Sequence, residues 1–199
     1  MAGLTVYNSA LHVDRNNNYD DMRIVPGAFE FPGVADPTLN DWQPGGSGTV
    51  FPVYVFAVND YVIASVQIPH EYKEGTDLLF HLHWTPRDRG VTENGNKVGW
   101  KVDYTIANVD GTFASSQTVD LSDACSGVDD KHEITSEVAV SGTGITVSAM
   151  LILKIYRSDT GDDDTWAGSI ASQLPALLEF DIHYNKDSVG SNTTTHKTW

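Results

Sequence analysis

From residue 50 onward apolar and polar residues alternate with period two, which predicts strands rather than helices. Phe80, Leu82 and Trp84 fall on one face and His81, His83 and Thr85 on the other. Trp100, Val102, Tyr104 and Ile106 alternate with Lys101, Asp103 and Thr105, and Phe180, Ile182 and Tyr184 with Glu179, Asp181 and His183. Successive strand side chains point to opposite faces, so one face of each run is packed and the other is wet or meets a partner. Eight strands are predicted, at about 50–58, 61–68, 78–85, 98–108, 112–119, 132–140, 145–157 and 177–186. Residues 149–155 are apolar apart from Lys154, the pattern of a strand covered on both sides. Trp84 and Trp100 share the alternation of their apolar neighbours and belong to the core. Asn59-Asp60, Glu93-Asn94-Gly95-Asn96 and Asp110-Gly111 supply turns, because these residues tolerate positive φ. Only residues 165–174 suit a short helix, which Pro175 would stop.

Residues 1–48 are rich in Asn, Asp, Pro and Gly, with short apolar runs at 22–25 and 28–31. They are expected to form an extended N-terminal arm with one or two short strands. Gly45-Gly46-Ser47-Gly48 then makes a hinge before a domain over residues 49–199. The fold class expected is all-β, a two-sheet jelly-roll β-sandwich of about eight antiparallel strands, with an immunoglobulin-like or lectin-like sandwich as the alternative.

Charge narrows the partners. The 199 residues carry 27 acidic against 12 basic side chains, a net charge of −15, so nucleic acid and anionic membranes would repel the surface. The arm has only Arg15 and Arg23 against Asp14, Asp20, Asp21, Glu30, Asp36 and Asp41, which argues against a shell subunit facing a genome. The lone Cys125 allows no intrachain disulfide, and it reads as a loop or core thiol. There is no leader pattern and no apolar window long enough to span a bilayer, so synthesis in the cytoplasm is expected.

Two groups of residues have the chemistry of cation ligands. His81 and His83 project from one strand face roughly 7 Å apart. Asp181 and His183 do the same on the last strand. If the two strands are neighbours, imidazole and carboxylate converge as zinc or a similar divalent ion requires. A hydrogen-bonded surface or subunit contact is the other reading of these four. Asp159, Asp162, Asp163 and Asp164 crowd one loop, which either wraps a hard cation or is simply solvated. No cofactor is required by any motif, and a divalent cation is the only one suggested. Nucleophile elbows, phosphate loops and dinucleotide fingerprints are absent, so no enzymatic role is expected. Two carboxylates flanking a glycosidic bond would be the exception. Trp42, Trp166 and Trp199 lie in loops or at the terminus and are candidates for a neighbouring subunit or a saccharide.

Residues 69–84, Pro-His-Glu-Tyr-Lys-Glu-Gly-Thr-Asp leading into His-Leu-His-Trp, resemble a motif of uncharacterised structural proteins of tailed bacteriophages. Residues 100–109, 150–157 with 164–168, and 180–192 resemble the same group. The resemblance implies a virion component: a capsid decoration or cement protein, a head spike, or part of the tail. It implies no catalytic residue. A compact sandwich with an arm and no fibre-like repeat fits a homotrimeric cement protein held to the major capsid protein on the outer capsid. A tail-associated module that binds a receptor or carbohydrate is the alternative. In the cement reading the strand face bearing His81, His83, Asp103, Asp181 and His183 is the expected subunit contact or metal position.

Overall fold

The computed structural model describes residues 4–7 and 10–13 by backbone alone, and residues 18–87, 93–160 and 163–197 in full. In chain order the strands are β1 (Leu4–Tyr7), β2 (Ala10–Val13), β3 (Tyr19–Ile24), β4 (Thr38–Trp42), β5 (Phe51–Val55), β6 (Tyr61–Gln67), β7 (Leu78–Thr85) and β8 (Lys97–Val98). They continue with β9 (Trp100–Ala107), β10 (Gln117–Asp120), β11 (Asp123–Ala124), β12 (Glu133–Ile134), β13 (Val138–Val140), β14 (Met150–Arg157) and β15 (Ala176–Asn185). One sheet runs β12-β7-β15-β5-β4, with β13 also along β7 and β3 also along β15. The other runs β10-β9-β14-β6. Every pairing among the described residues is antiparallel, and the chain is a two-sheet β-sandwich of jelly-roll type.

Alternation explains the core. The inward residues of β7, β9, β14 and β15 all meet between the sheets, and Trp84, Trp100, Phe80, Phe180, Leu151 and Leu153 are fully buried. Phe80 packs edge-on against Tyr104 at 5.6 Å and Phe180 at 5.4 Å, so one ring joins β7 to both sheets. Cys125 is buried, as a core thiol should be.

The turn at residues 69–77 ties the sandwich together. Tyr72 is fully buried and its hydroxyl donates to the Thr76 carbonyl. Glu74 accepts the Val147 amide at 3.0 Å, and Asp77 accepts the Gly142 amide at 3.1 Å. His70 sits between Ser148 and Ser191 at 2.9 and 2.8 Å. This stretch is thus a knot joining the β13–β14 loop to the segment after β15.

Several expectations are corrected. β3 and β4, expected within the arm, pair with β15 and β5 of the chain's own sheet. The glycine run expected as a hinge is the loop of the β4–β5 hairpin, where Gly45, Gly46 and Gly48 take φ of 65°, 70° and 91°. β1 and β2 pair with each other and with no other described strand. The strand expected over 132–140 is split into β12 and β13, and the helix expected at 165–174 is only a 3₁₀ turn at Ala171–Gln173. β14 is covered on one side only. Met150 and Ile152 are each 38% exposed on the outer face, and Lys154 lies over the Tyr61 and Tyr156 rings at 4.6 and 4.7 Å.

Candidate functional site

β7 and β15 are direct neighbours, and their register sets His81 opposite Asp181 and His83 opposite Glu179. A bulge between Leu177 and Glu179 shifts β15 by one residue, so that Leu177 points into the core while Glu179 joins Asp181 outside. On the other side of β15, β3 sets Arg23 opposite Asp181 and Asp21 opposite His183. Period two therefore gathers residues from three strands on the outer face of the larger sheet. His81 and Asp181 are only 2% and 5% exposed, although that face is the outer one.

The rings form a continuous row. His81 lies 4.3 Å from His183 and 5.1 Å from His83, and His83 stacks on His132 at 4.9 Å. His83 Nδ1 is 2.6 Å from His132 Nε2. Carboxylates flank the row. Asp181 Oδ2 is 3.2 Å from His83 Nε2 and 3.7 Å from His81 Nε2. His183 reaches Asp21 at 2.8 Å through Nε2 and Glu137 at 2.6 Å through Nδ1. Arg23 grips Glu179 through two guanidinium nitrogens, the Nη2 bond being 2.6 Å. A cleft of about 370 Å³ opens on this group, bordered by Asp21, Arg23, His83, His132, Glu179 and Asp181.

Burial sets the protonation of the group. It lowers the His81 imidazole to about 4, helped by charge on His183 and His83. Burial, and then His132, also lowers His83. Asp181 is pushed up to about 7 by burial and by the neighbouring Glu179, which its bond to Arg23 holds low. Both strand imidazoles are thus neutral at neutral pH, the form in which histidine binds metals. Among the described residues two trios present ligand atoms within 4.8 Å of one another: His81, His83 and Asp181, and His81, Glu137 and His183.

The structure thus brings His81, His83, Asp181 and His183 together as their alternation implies. Asp103 does not join them. It lies on β9 in the other sheet, bonded to Thr118 at 2.7 Å and Tyr156 at 3.2 Å. Alternation also marks Asp21 and Arg23, since Met22 and Ile24 between and beyond them are buried, but sequence reading missed their approach to β15. His132 and Glu137 flank the short β12 and β13 and had no periodic signal.

The acidic loop has another use. Asp164 is paired with the buried Arg157 at 2.6 and 2.9 Å and accepts the Gly99 amide at 3.0 Å. Asp163 binds Lys101 at 2.9 Å, Asp159 is exposed, and Asp162 lies outside the described residues. Trp166 is a core residue rather than a surface one. It is 7% exposed, packs edge-on against Trp84 at 5.9 Å and donates to the Gln173 carbonyl at 2.9 Å. Trp199 lies outside the described residues. Trp42 borders a second cleft of about 730 Å³, with Arg87, Asp129 and Asp130 around it. Its indole N–H donates to Asp130 at 2.6 Å.

No known family and no curated protein matches the chain. Among solved structures it is similar to a Paenibacillus sp. cycloisomaltooligosaccharide glucanotransferase complexed with cycloisomaltoheptaose, at 13% identity and a TM-score of 0.38. That match covers 80% of this chain but only 18% of the enzyme. TmCBM61 in complex with beta-1,4-galactotriose shows 8% identity and a TM-score of 0.32, over 85% of this chain and 90% of that one. A protein of infectious bursal disease virus, Gx strain, shows 9% identity and a TM-score of 0.36, over 98% of this chain and 38% of the viral one.

Proposed function

We propose that this chain is a structural protein of a tailed-phage virion, a homotrimeric cement or decoration subunit bound to the major capsid protein on the outer capsid and made in the host cytoplasm. The sequence resemblance supports this reading, because its segments form the scaffold itself: the turn at 69–77 with β7, and β9, β14 and β15. The observation that carries it is an open strand edge. β3 pairs with β15 on one side and with no described strand on the other, and Tyr19 and Val25 are 46% and 45% exposed beside it. An unpaired edge accepts a strand from a neighbour through main-chain bonds. β1 and β2, unpaired with the rest of the sandwich, are the part of the arm left to reach a neighbouring subunit.

Sedimentation of the purified protein tests this. The parent should have the mass of three chains, and Tyr19→Lys should give a folded monomer, because a lysine on an edge resists strand addition. A parent that is monomeric, or a Tyr19→Lys variant as trimeric as the parent, contradicts the reading.

The second reading, a tail-associated module binding a saccharide, is favoured by the Trp42 cleft, where an aromatic side chain stands among side chains able to bond hydroxyls. A glycan array with the parent and Trp42→Ala tests it. Binding lost in the variant favours this reading, and a parent with no bound glycan excludes it.

A further inference from the structure

We propose that the outer face of the larger sheet binds one zinc ion, or a divalent transition ion of similar size, on His81, His83 and Asp181, with a fourth position open to the cleft beside them. The site stands whether or not the chain assembles in a virion.

Three independent features point to it. The first is an unmet need for partners. Among the described residues His81 Nδ1 is buried and makes no hydrogen bond, and His81 Nε2, at 3.7 Å from Asp181 Oδ2, is beyond hydrogen-bond range. A side chain 2% exposed with neither ring nitrogen bonded is destabilising, and a group on a core strand persists there only if something else satisfies it. A cation between the two side chains gives Nε2 a partner and leaves Nδ1 without one.

The second feature is spacing. Two ligands held at the usual 2.0–2.1 Å from a tetrahedral zinc stand about 3.3 Å apart. The Asp181 carboxylate lies 3.2 and 3.7 Å from the two Nε2 atoms, bracketing that value, and the whole trio falls within 4.8 Å. Two neutral imidazoles and one carboxylate are also the donor set of a borderline ion, whereas calcium and magnesium ask for oxygen alone.

The third feature is support behind the ligands. His83 has its far nitrogen, Nδ1, on His132 Nε2 at 2.6 Å, the arrangement that fixes the tautomer and ring angle of a metal-bound histidine. Arg23 holds Glu179 beside Asp181, neutralising the carboxylate that would otherwise compete for the ion. The other trio is weaker. Its His183 and Glu137 side chains are 28% and 46% exposed, so water can serve them as it cannot serve His81 and Asp181.

The test uses the full chain freed of metal by a chelator and titrated by calorimetry with zinc, with calcium as the contrast. Cobalt added in parallel reports the geometry through its visible absorption. Expected are one equivalent of zinc, the intense absorption of tetrahedral cobalt, and no calcium heat. His83→Ala, chosen because that side chain is 20% exposed and its loss leaves the core intact, should weaken zinc by at least about tenfold. Asp181→Asn should do the same, and His183→Ala should leave affinity within about threefold of the parent. The proposal is overturned if the parent takes up no zinc, if calcium binds as well as zinc, or if folded His83→Ala and Asp181→Asn bind like the parent. It is also overturned if His183→Ala loses as much as they do, which would move the ion to the other trio.

Discussion

Replacing Asp164 with alanine should unfold this protein far more readily than its place in an acidic loop suggests. The Asp164 side chain is 3% exposed and its partner Arg157 is 2% exposed. Arg157 donates to both carboxylate oxygens, at 2.6 and 2.9 Å, and its remaining bond is to the Phe56 carbonyl at 3.0 Å. The same carboxylate accepts the Gly99 and Trp166 amides at 3.0 and 3.2 Å. Alanine leaves a buried guanidinium with the Phe56 carbonyl as its one remaining hydrogen-bond partner and the Asp60 carboxylate nearby, and breaking a buried pair in this way typically costs about 3–5 kcal/mol. For a domain of this size each kcal/mol lowers the melting temperature by about 2–4 °C, so a loss of roughly 6–20 °C is expected. Urea unfolding followed by tryptophan fluorescence gives the free energy directly, with an unchanged slope showing that the folded and unfolded states are otherwise the same. Asp159→Ala, on the exposed side of the same loop, should leave the midpoint unmoved. If Asp164→Ala costs less than about 1 kcal/mol, the scale of an exposed pair, the loop is not the clamp described here.

Two further outcomes are expected. A Cβ on Gly142 would lie 1.6 Å from the Thr76 carbonyl oxygen and 2.5 Å from the Tyr72 hydroxyl, so Gly142→Ala must push apart the knot at 69–77, and its melting temperature should fall well below that of Gly27→Ala, where nothing lies within 4 Å. In metal-free protein, Asp181 is raised from 3.8 to about 7, a contribution that is lost as pH rises across that interval, while His81 is lowered from 6.5 to about 4, a contribution that is lost as pH falls. The two offset each other between about pH 4 and 6.5, so urea midpoints of Asp181→Asn should climb with pH in that window more steeply than those of the parent, and equal slopes would contradict the assignment.

How much of this was legible in the sequence depended on whether a residue's role is local. The alternation of β7, β9 and β15 is local, so it marked Trp84 and Trp100 as core and placed His81, His83, Asp181 and His183 on outward faces. Their convergence then needed only that β7 and β15 be neighbours. Asp103 obeys the same rule on β9, yet alternation says nothing of which sheet a strand joins. β3 pairs with a strand roughly 160 positions later, a partner that no window reveals. Asp164 and Trp166 look like surface residues because their neighbours are polar. Only the folded loop shows one reaching Arg157 and the other Trp84.

The claim on which the proposed function rests is that the free edge of β3 is covered by another chain. Amide exchange of residues 19–24 measured across a dilution series tests it most directly, read at the amides that face away from β15. Slow exchange at concentrations where three chains associate, becoming fast as the protein dilutes to single chains, is the expected result. Exchange at those amides that is fast and independent of concentration would show the edge to be bare, and the assembly reading would fall.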